Sequence, residues 1–510
     1  MSTSTVEYFD HNRETASSRY SSLESDRKPY TDRAEESAKY TIPMLFPKET
    51  DTSSTKYDTP YQSIGARGVN NLVAKLMLAL FPPNSPFFRL SIGAEMAQML
   101  NTNPEFKQKL EEALVFLENQ CMNYMEKQQV RVTMYEALTQ LIIAGNVLLF
   151  LPPAEGGLRV YRLNSYVVQR DGIGNVTEIV TKENIAYSSL SPEGQRCIQE
   201  DNINPSKEYE VYTHVYVKDD NYESYQEIQG AIVAGSENTY PKDKSAWIAL
   251  RLNKMDGESY GRSFIDSYIG DLKALESLTK AIVEVASVSS NILFLVNPNS
   301  VTRVSDLAKA QSGAFVKGRA EDITTLQVNK TTDLQITTAA AQSIESRLSY
   351  AFLLNSAVQR NAERVTAEEI RYVARELEDT VGSIYSILAQ ELQLPLVKRV
   401  LSQMERLNLM PELPQGSTGI EPVIITGIEA LGRGHDLTKL DTFIRYAQVF
   451  PEAFNTYVKQ DEILRQIAAS LSINADSVVK TQEEVMQAQQ QQAGMDVAQM
   501  ATANAIQNQM

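Results

Sequence analysis

Two cysteines, three histidines and one tryptophan in 510 residues leave little material for several kinds of chemistry. Cys121 and Cys197 lie far from one another and from His11, His214 and His435, so the chain shows neither a zinc-ligand spacing nor a disulfide framework, as expected of a protein in a reducing cytoplasm. Long apolar runs are missing too. The longest, near residues 72–81 and 141–151, fall far short of the roughly 20 residues that cross a bilayer, and both read as core. The N-terminal stretch MSTSTVEYFDHNRET has no basic region followed by an apolar run, so no signal peptide is expected.

Glycine-rich phosphate loops are absent as well. Gly172-Ile173-Gly174 and Gly432-Arg433-Gly434 are the nearest approaches, and neither shows a GxGxxG set between a strand and a helix, where backbone amides wrap a phosphate. Both read as turns. There is no GxxxxGK[ST], GxSxG, HExxH or EF-hand pattern, so neither a catalytic site nor a cofactor is expected. Positive charge is short: 48 Lys and Arg stand against 64 Asp and Glu, a formal net charge of −16. General attraction to nucleic acid is thereby excluded, and any DNA contact has to be local.

What the chain does have is helical periodicity, interrupted by one β-rich region. A length of about three domains would be consistent with several cores. Residues 11–40 are charged and Ser-rich, with Tyr20, Leu23, Ala34 and Ala38 at loose helical spacing, which predicts an exposed helix with a narrow buried stripe and a small contribution to the core. A well-buried helix is predicted from Thr59-Pro60, a good N-cap and first-turn pair, through Leu72 and Leu76 to Leu80, before Pro82-Pro83. The pattern continues over 104–127 and 132–144. Near Gly145 the period changes to two. Strands are predicted over 146–151, 158–163, 166–170, 176–181, 209–217, 225–228, 231–234 and 247–252, with a turn at Asp171-Gly172-Ile173-Gly174-Asn175. Helices over 263–289, with Ser263 and Asp266 as a cap pair, and over 333–354 then bracket a small αβ piece. Further helices are predicted near 437–448 and 461–471, and the Gln-rich end forms a helix or a tail. The fold class is α+β, mainly helical.

Acidic pairs at Asp219-Asp220, Glu368-Glu369 and Glu483-Glu484 sit in polar turns or helix ends and read as solvated. Trp247 reads as core, and His214, alternating with apolar neighbours, as a surface or satisfied residue rather than a ligand. The stretch 355–401 stands out. Its loop, 355–365, carries Gln359, Arg360, Asn361 and Arg364 with Glu363 as its one acid, and feeds a helix opened by a Thr366/Glu369 capping box. Ile370, Val373, Leu377, Val381, Ile384 and Leu388 continue the apolar stripe, and no proline intervenes before Pro395. At about 1.5 Å per residue the helix spans roughly 40 Å, a strut, with an arginine-bearing loop that could present positive charge to a polyanion.

Several long segments, in order, carry a resemblance. They are RKPYTDRAEESAKYTIPMLFPK from Arg27, GARGVNNLVAKLMLALFP from Gly65, LIIAGNVLLFLP from Leu141, YRLNSYVVQRDGIGNV from Tyr161, DGESYGRSFI from Asp256 and LNSAVQRNAERVTAEEIRYVARELEDT from Leu354. Over most of its length the chain resembles the portal, or head-to-tail connector, proteins of short-tailed autographivirus-type phages; the match weakens after about Gln415. The resemblance implies a structural protein in the virion, at the portal vertex, met in the host cytoplasm during assembly. It implies a homo-oligomer, a dodecameric ring, with a passive channel for double-stranded DNA used in genome packaging and ejection. Its implied partners are the major capsid protein, scaffolding protein, terminase and a tail adaptor, with no membrane. Mapped by order, residues 1–258 would be wing, 259–290 the first stem helix, 291–332 the clip and 333–354 the second stem helix. Residues 355–365 would be the channel loop, 366–414 the strut to the crown, and 415–510 the crown and tail. Gln359, Arg360, Asn361 and Arg364 would then face DNA, and Lys309, Lys317 and Arg319 are candidate clip contacts. Two other readings stand beside it: a non-ring virion scaffold or tail adaptor built on a helical bundle, and a DNA-processing enzyme whose catalytic residues the sequence does not show.

Overall fold

The fold is that of a computed structural model, which describes residues 14–48, 51–52, 54–82, 86–92, 104–154, 156–200, 203–290, 293–299, 303–311, 314–326, 331–354, 384, 386–410, 420–424, 444–446 and 463–464. The chain divides into two compact units, Met1–Met77 with Gln128–Asn361 and Thr380–Arg399, and Leu78–Lys127 with Ala362–Asp379 and Val400–Met510. The class is mixed, helices with antiparallel sheets, as the sequence predicts.

In the first unit, α1 (Ala16–Lys39) and α2 (Ile64–Leu80) precede α3 (Val130–Ala144). A three-stranded antiparallel sheet follows, with β1 (Asn146–Phe150) between β2 (Arg159–Tyr161) and a later strand, Trp247–Arg251. The larger sheet runs β3 (Tyr166–Arg170), β4 (Val176–Ala186), β5 (Glu208–Lys218), β6 (Asn221–Ile228) and β7 (Ala231–Ile232), with β8 (Asn238–Pro241) also on β6. Trp247 opens β9 (Trp247–Arg251), buried and tilted on Phe150 across β1, as expected of a core residue.

The first helix is the main departure from expectation. Its stripe Ala16, Tyr20, Leu23, Arg27, Thr31, Ala34 and Ala38 recurs at three- and four-residue steps and is buried throughout. Ala16, Tyr20 and Leu23 share a core with Val167, Val180, Tyr212 and Tyr225 of the large sheet. The buried stripe is where the spacing puts Tyr20, Leu23, Ala34 and Ala38, but its extent exceeds expectation because two of its anchors are charged. Glu227, fully buried on β6, accepts from the Ala16 backbone N–H at 2.6 Å and from that of Ser17 at 3.4 Å, a carboxylate set against the positive end of the helix. Arg27, also buried, donates to the Tyr20 hydroxyl and to the carbonyls of Asn164 and Tyr166 at 2.7, 2.9 and 3.0 Å. A guanidinium that fills a turn's carbonyls this way is a structural bolt rather than surface charge.

The second helix begins at Ile64, four residues after Pro60. The backbone N–H groups of Tyr61 and Gln62 are taken by the Glu276 carboxylate at 3.0 and 3.2 Å, and the Gln62 side chain then accepts from Gly65 N–H at 2.9 Å. A tertiary partner, invisible locally, displaces the start that Thr59-Pro60 predicts. Asp219 and Asp220 both hold positive φ, 50° and 97°, at the tip of the β5–β6 hairpin, the geometry of a two-residue turn usually given to Asn-Gly. They form a turn, as expected. So does Asp171, whose Oδ1 accepts from the N–H groups of Ile173, Gly174 and Asn175, with Gly174 at φ 100°. Those amides point at a side chain, leaving none for a phosphate.

The described part of the predicted strut is helical from residue 386 to Arg406, passing through a π-turn at Ala389–Gln393. Pro395, the first proline after the start of the run, lies inside the helix. The Leu394 N–H reaches back to Ala389 O, so the register has already slipped when the proline arrives and its missing N–H falls in a widened turn. Residues 355–383 lie outside the described residues, and with them Gln359, Arg360, Asn361, Arg364 and the Thr366/Glu369 cap.

In the second unit, Phe88–Ile92 pairs antiparallel with Ile420–Ile424, and the Leu90 N–H donates to buried Glu118 of the helix Pro104–Lys127. Phe81, Phe87 and Phe88 stack edge-on beside them. Of the helices predicted over 437–448 and 461–471, only 444–446 and 463–464 are described, and these are helical. The Gln-rich end lies outside the described residues.

Candidate assembly and channel site

The region 269–354 folds as two long helices around a small sheet. The first helix, α4 (Ile269–Ser290), is led in by a reciprocal cap: Asp266 N–H donates to Ser263 Oγ at 2.9 Å and Ser263 N–H to the Asp266 carboxylate at 3.1 Å. This cap pair was legible in the sequence. Beyond it, β10 (Leu293–Val296) and β11 (Ile323–Leu326) pair antiparallel, with the short α5 (Val304–Lys309) between them, and α6 (Thr331–Ala351) returns along α4. Arg347 on α6 reaches Asp271 on α4 at 2.7 Å.

The two helices are rooted at one end only. Leu272 and Leu275 of α4 and Leu348, Ala351 and Phe352 at the end of α6 are buried. Of the side chains described between residues 276 and 340, none is buried. Instead the apolar side chains point outward: Val288 is 57 % exposed, Ile336 65 %, Val304 61 % and Phe315 fully. A two-stranded sheet with both outer edges open is marginal in water by itself, and exposed apolar groups in such number mark a surface meant to be covered. Lys309, Lys317 and Arg319 all lie on the excursion between β10 and β11 and are exposed.

The root of α6 holds residues that sequence reasoning passed over. Phe352 sits against Gly68 of α2 and within 6.1 Å, ring centre to ring centre, of Phe264 and Tyr268. A Cβ at Gly68 would run into the Phe352 ring. Asn71 donates to the carbonyls of Phe352 and Leu353 at 2.9 and 3.0 Å, and buried Lys75 donates to Leu353 O at 2.8 Å. The signal was present: a lysine and a glycine on the apolar face of a helix that otherwise reads Val69, Leu72, Val73, Leu76.

Elsewhere the titratable groups are spoken for. His214 is buried, not a surface residue; its Nε2 donates to Glu178 at 2.7 Å and its Nδ1 faces the Tyr225 hydroxyl at 2.9 Å, so it is a satisfied core histidine. Arg19 clasps the same carboxylate. Burial works to raise the Glu178 carboxyl, but hydrogen bonds and charge from His214 and Arg19 outweigh it and hold it at about 2. Both cysteines are free and buried, and burial, with the Glu118 carboxylate, pushes the Cys121 thiol up to about 12, far from a nucleophile. A pocket of about 380 Å³ beside α1 is lined by Glu200, Glu210 and Glu227. Their carboxylates are already engaged, with Lys207, with Tyr212 and with the start of α1. Among the described residues no cluster of three or more His, Cys, Asp or Glu is placed to hold a metal, and no helix is long and apolar enough to cross a membrane.

A family profile described as "Bacteriophage head to tail connecting protein" matches residues 13–479. The chain belongs to the bacteriophage head-to-tail connecting proteins. Within that family this connector chain is 46 % identical to the portal protein of Escherichia phage T7 over 503 residues, covering 96 % of this chain and 93 % of that one. It is 48 % identical to the portal protein of Enterobacteria phage T3 over 501 residues, covering 96 % and 92 %. It is 30 % identical to that of Enterobacteria phage SP6 over 486 residues, covering 92 % and 91 %. The protein is thus a structural portal protein of the short-tailed phage type, and the resemblance read from the segments above holds over nearly the whole chain. A solved gene transfer agent virion superposes with a TM-score of 0.34 at 10 % identity, over 81 % of this chain and 90 % of that one, too shallow to carry weight.

Proposed function

We propose that the chain assembles into a closed ring, dodecameric by the resemblance, at one capsid vertex, and serves as a passive conduit for double-stranded DNA during packaging and ejection. In this reading residues 1–258 form the wing, α4 and α6 the stem, and 291–332 the clip. Residues 355–365 form the channel loop, with Gln359, Arg360, Asn361 and Arg364 toward DNA, and the remainder the strut and crown. Capsid protein, scaffolding protein, terminase and a tail adaptor meet the ring on its outer surfaces, and Lys309, Lys317 and Arg319 belong to the clip's contacts.

One observation carries the reading: of the side chains described from 276 to 340 none is buried, and Val288, Val304, Phe315 and Ile336 face outward. A second copy of the same module is the economical cover, since a ring repeats one heterologous contact until it closes. The charge balance agrees. Each phosphate neutralised adds a counterion-release term that favours retention, so a conduit does best with a net acidic subunit, here −16, and few cations in the channel. Backbone contact alone serves sequence-independent passage, so no base readout is called for, and no catalytic group is needed.

The test uses Val288→Asp and Ile336→Asp. Both positions are exposed in the single chain, so each change alters monomer stability by no more than about 0.5 kcal/mol. On size-exclusion chromatography coupled to light scattering, the ring reading expects the double variant to remain monomeric, with the parent's helix content by circular dichroism. Rings at the parent's yield would remove α4 and α6 from the interface.

A further inference from the structure

The end of α6 is held by more than helix chemistry supplies. The chain leaves it with Leu353 at φ 56°, in the left-handed region that a leucine adopts only at a cost. The hydrogen bonds around it are those of a Schellman exit: Leu354 N–H reaches back to Ser349 O at 2.8 Å and Leu353 N–H to Tyr350 O at 3.1 Å. Glycine usually takes such a position. Here a leucine stands in it with its side chain buried, and α2 supplies the compensation. Asn71 spans the two last carbonyls, Phe352 O and Leu353 O, while Lys75 places a buried ammonium on Leu353 O, a cation at the negative end of the helix. Phe352 is lodged against Gly68 in the same stretch of α2. Two consecutive residues at the exit of α6, Phe352 and Leu353, are thus fixed by three positions, 68, 71 and 75, on one face of one helix.

We propose that Asn71 and Lys75 are positioning residues: they set the direction in which the chain leaves α6 for residue 355, and so the placement of the arginine-bearing stretch that starts there. The inference rests on the channel reading of 355–365, which it deepens by naming what holds that stretch in register with the ring. A cation on the last carbonyl and a forked amide across two of them define a single exit. Without them Leu353 relaxes toward negative φ, and the exit of α6 loses its fixed direction.

The test compares Lys75→Met and the milder Asn71→Ala with Arg360→Ala/Arg364→Ala, each in the full chain assembled into particles. Two quantities are read: hydrogen–deuterium exchange of the peptide 348–354, and the length of DNA packaged and retained per particle. The expected result for Lys75→Met is exchange faster by roughly tenfold or more in that peptide, with ring yield intact and retention altered in the same sense as in the arginine variant. Asn71→Ala should give the same pattern more weakly, and it decides the matter should Lys75→Met not fold. Unchanged exchange in the peptide overturns the clamp. Faster exchange with parental DNA retention, while the arginine variant is altered, overturns the positioning role and leaves the channel reading standing. An arginine variant indistinguishable from the parent removes the channel reading itself, and the positioning role with it.

Discussion

Glu178 accepts from Arg19 and His214 at once, which makes one residue of β4 the anchor of the N-terminal helix on the sheet. Its carboxyl is held at about 2, below its ordinary 4.5. Because the folded value is depressed, the stabilisation is complete above about pH 4.5 and is lost as pH falls toward 2. Melting curves taken from pH 7 down to pH 3 should therefore show a loss of stability that is smaller in Glu178→Gln, and at neutral pH that variant should be less stable by about 2 kcal/mol. Parallel acid limbs for the two proteins would show that the anchor contributes nothing. None of this was legible in the sequence, where Glu178, His214 and Arg19 are separated by strands and turns. The same holds for Arg27 and Glu227, whose burial depends on partners more than a hundred residues away. Residues whose role is local were readable: the Ser263/Asp266 cap, the Asp171 and Asp219-Asp220 turns, and Trp247 as core.

Among the elements, helices and strands were placed well by periodicity, and the errors fall where a distant partner overrides a local signal. Glu276 moves the start of α2 from Thr59-Pro60 to Ile64. The joint between α2 and α6 makes a further prediction. Gly68→Ala in a helix interior ordinarily stabilises, by up to about 1 kcal/mol. At this position the added methyl meets the Phe352 ring, and overpacking costs about 1–3 kcal/mol, so the clash should win and the variant should be destabilised. Thermal denaturation of Gly68→Ala decides between the two; a raised melting temperature would mean that Phe352 is not seated as described. Glycine in a helical run is a visible signal, but its meaning depends on which ring lies opposite, and that is a tertiary fact.

For the whole molecule, the family was legible in ordered segments spread from Arg27 to Thr380, and the profile match over residues 13–479 with relatives of 46 % and 48 % identity places the chain in it. The physical counterpart is the module between residues 276 and 340, whose outward apolar side chains make little sense in an isolated subunit. The arginine-bearing stretch 355–365 remains a sequence reading, since it lies outside the described residues. What the central claim requires is closure: one contact repeated around an axis until the first and last subunits meet. Axial class averages of the purified chain in negative stain, paired with its native mass spectrum, read that directly. The account predicts closed rings with a central opening and a single subunit number. Monomers, dimers or open filaments under assembly conditions would contradict it.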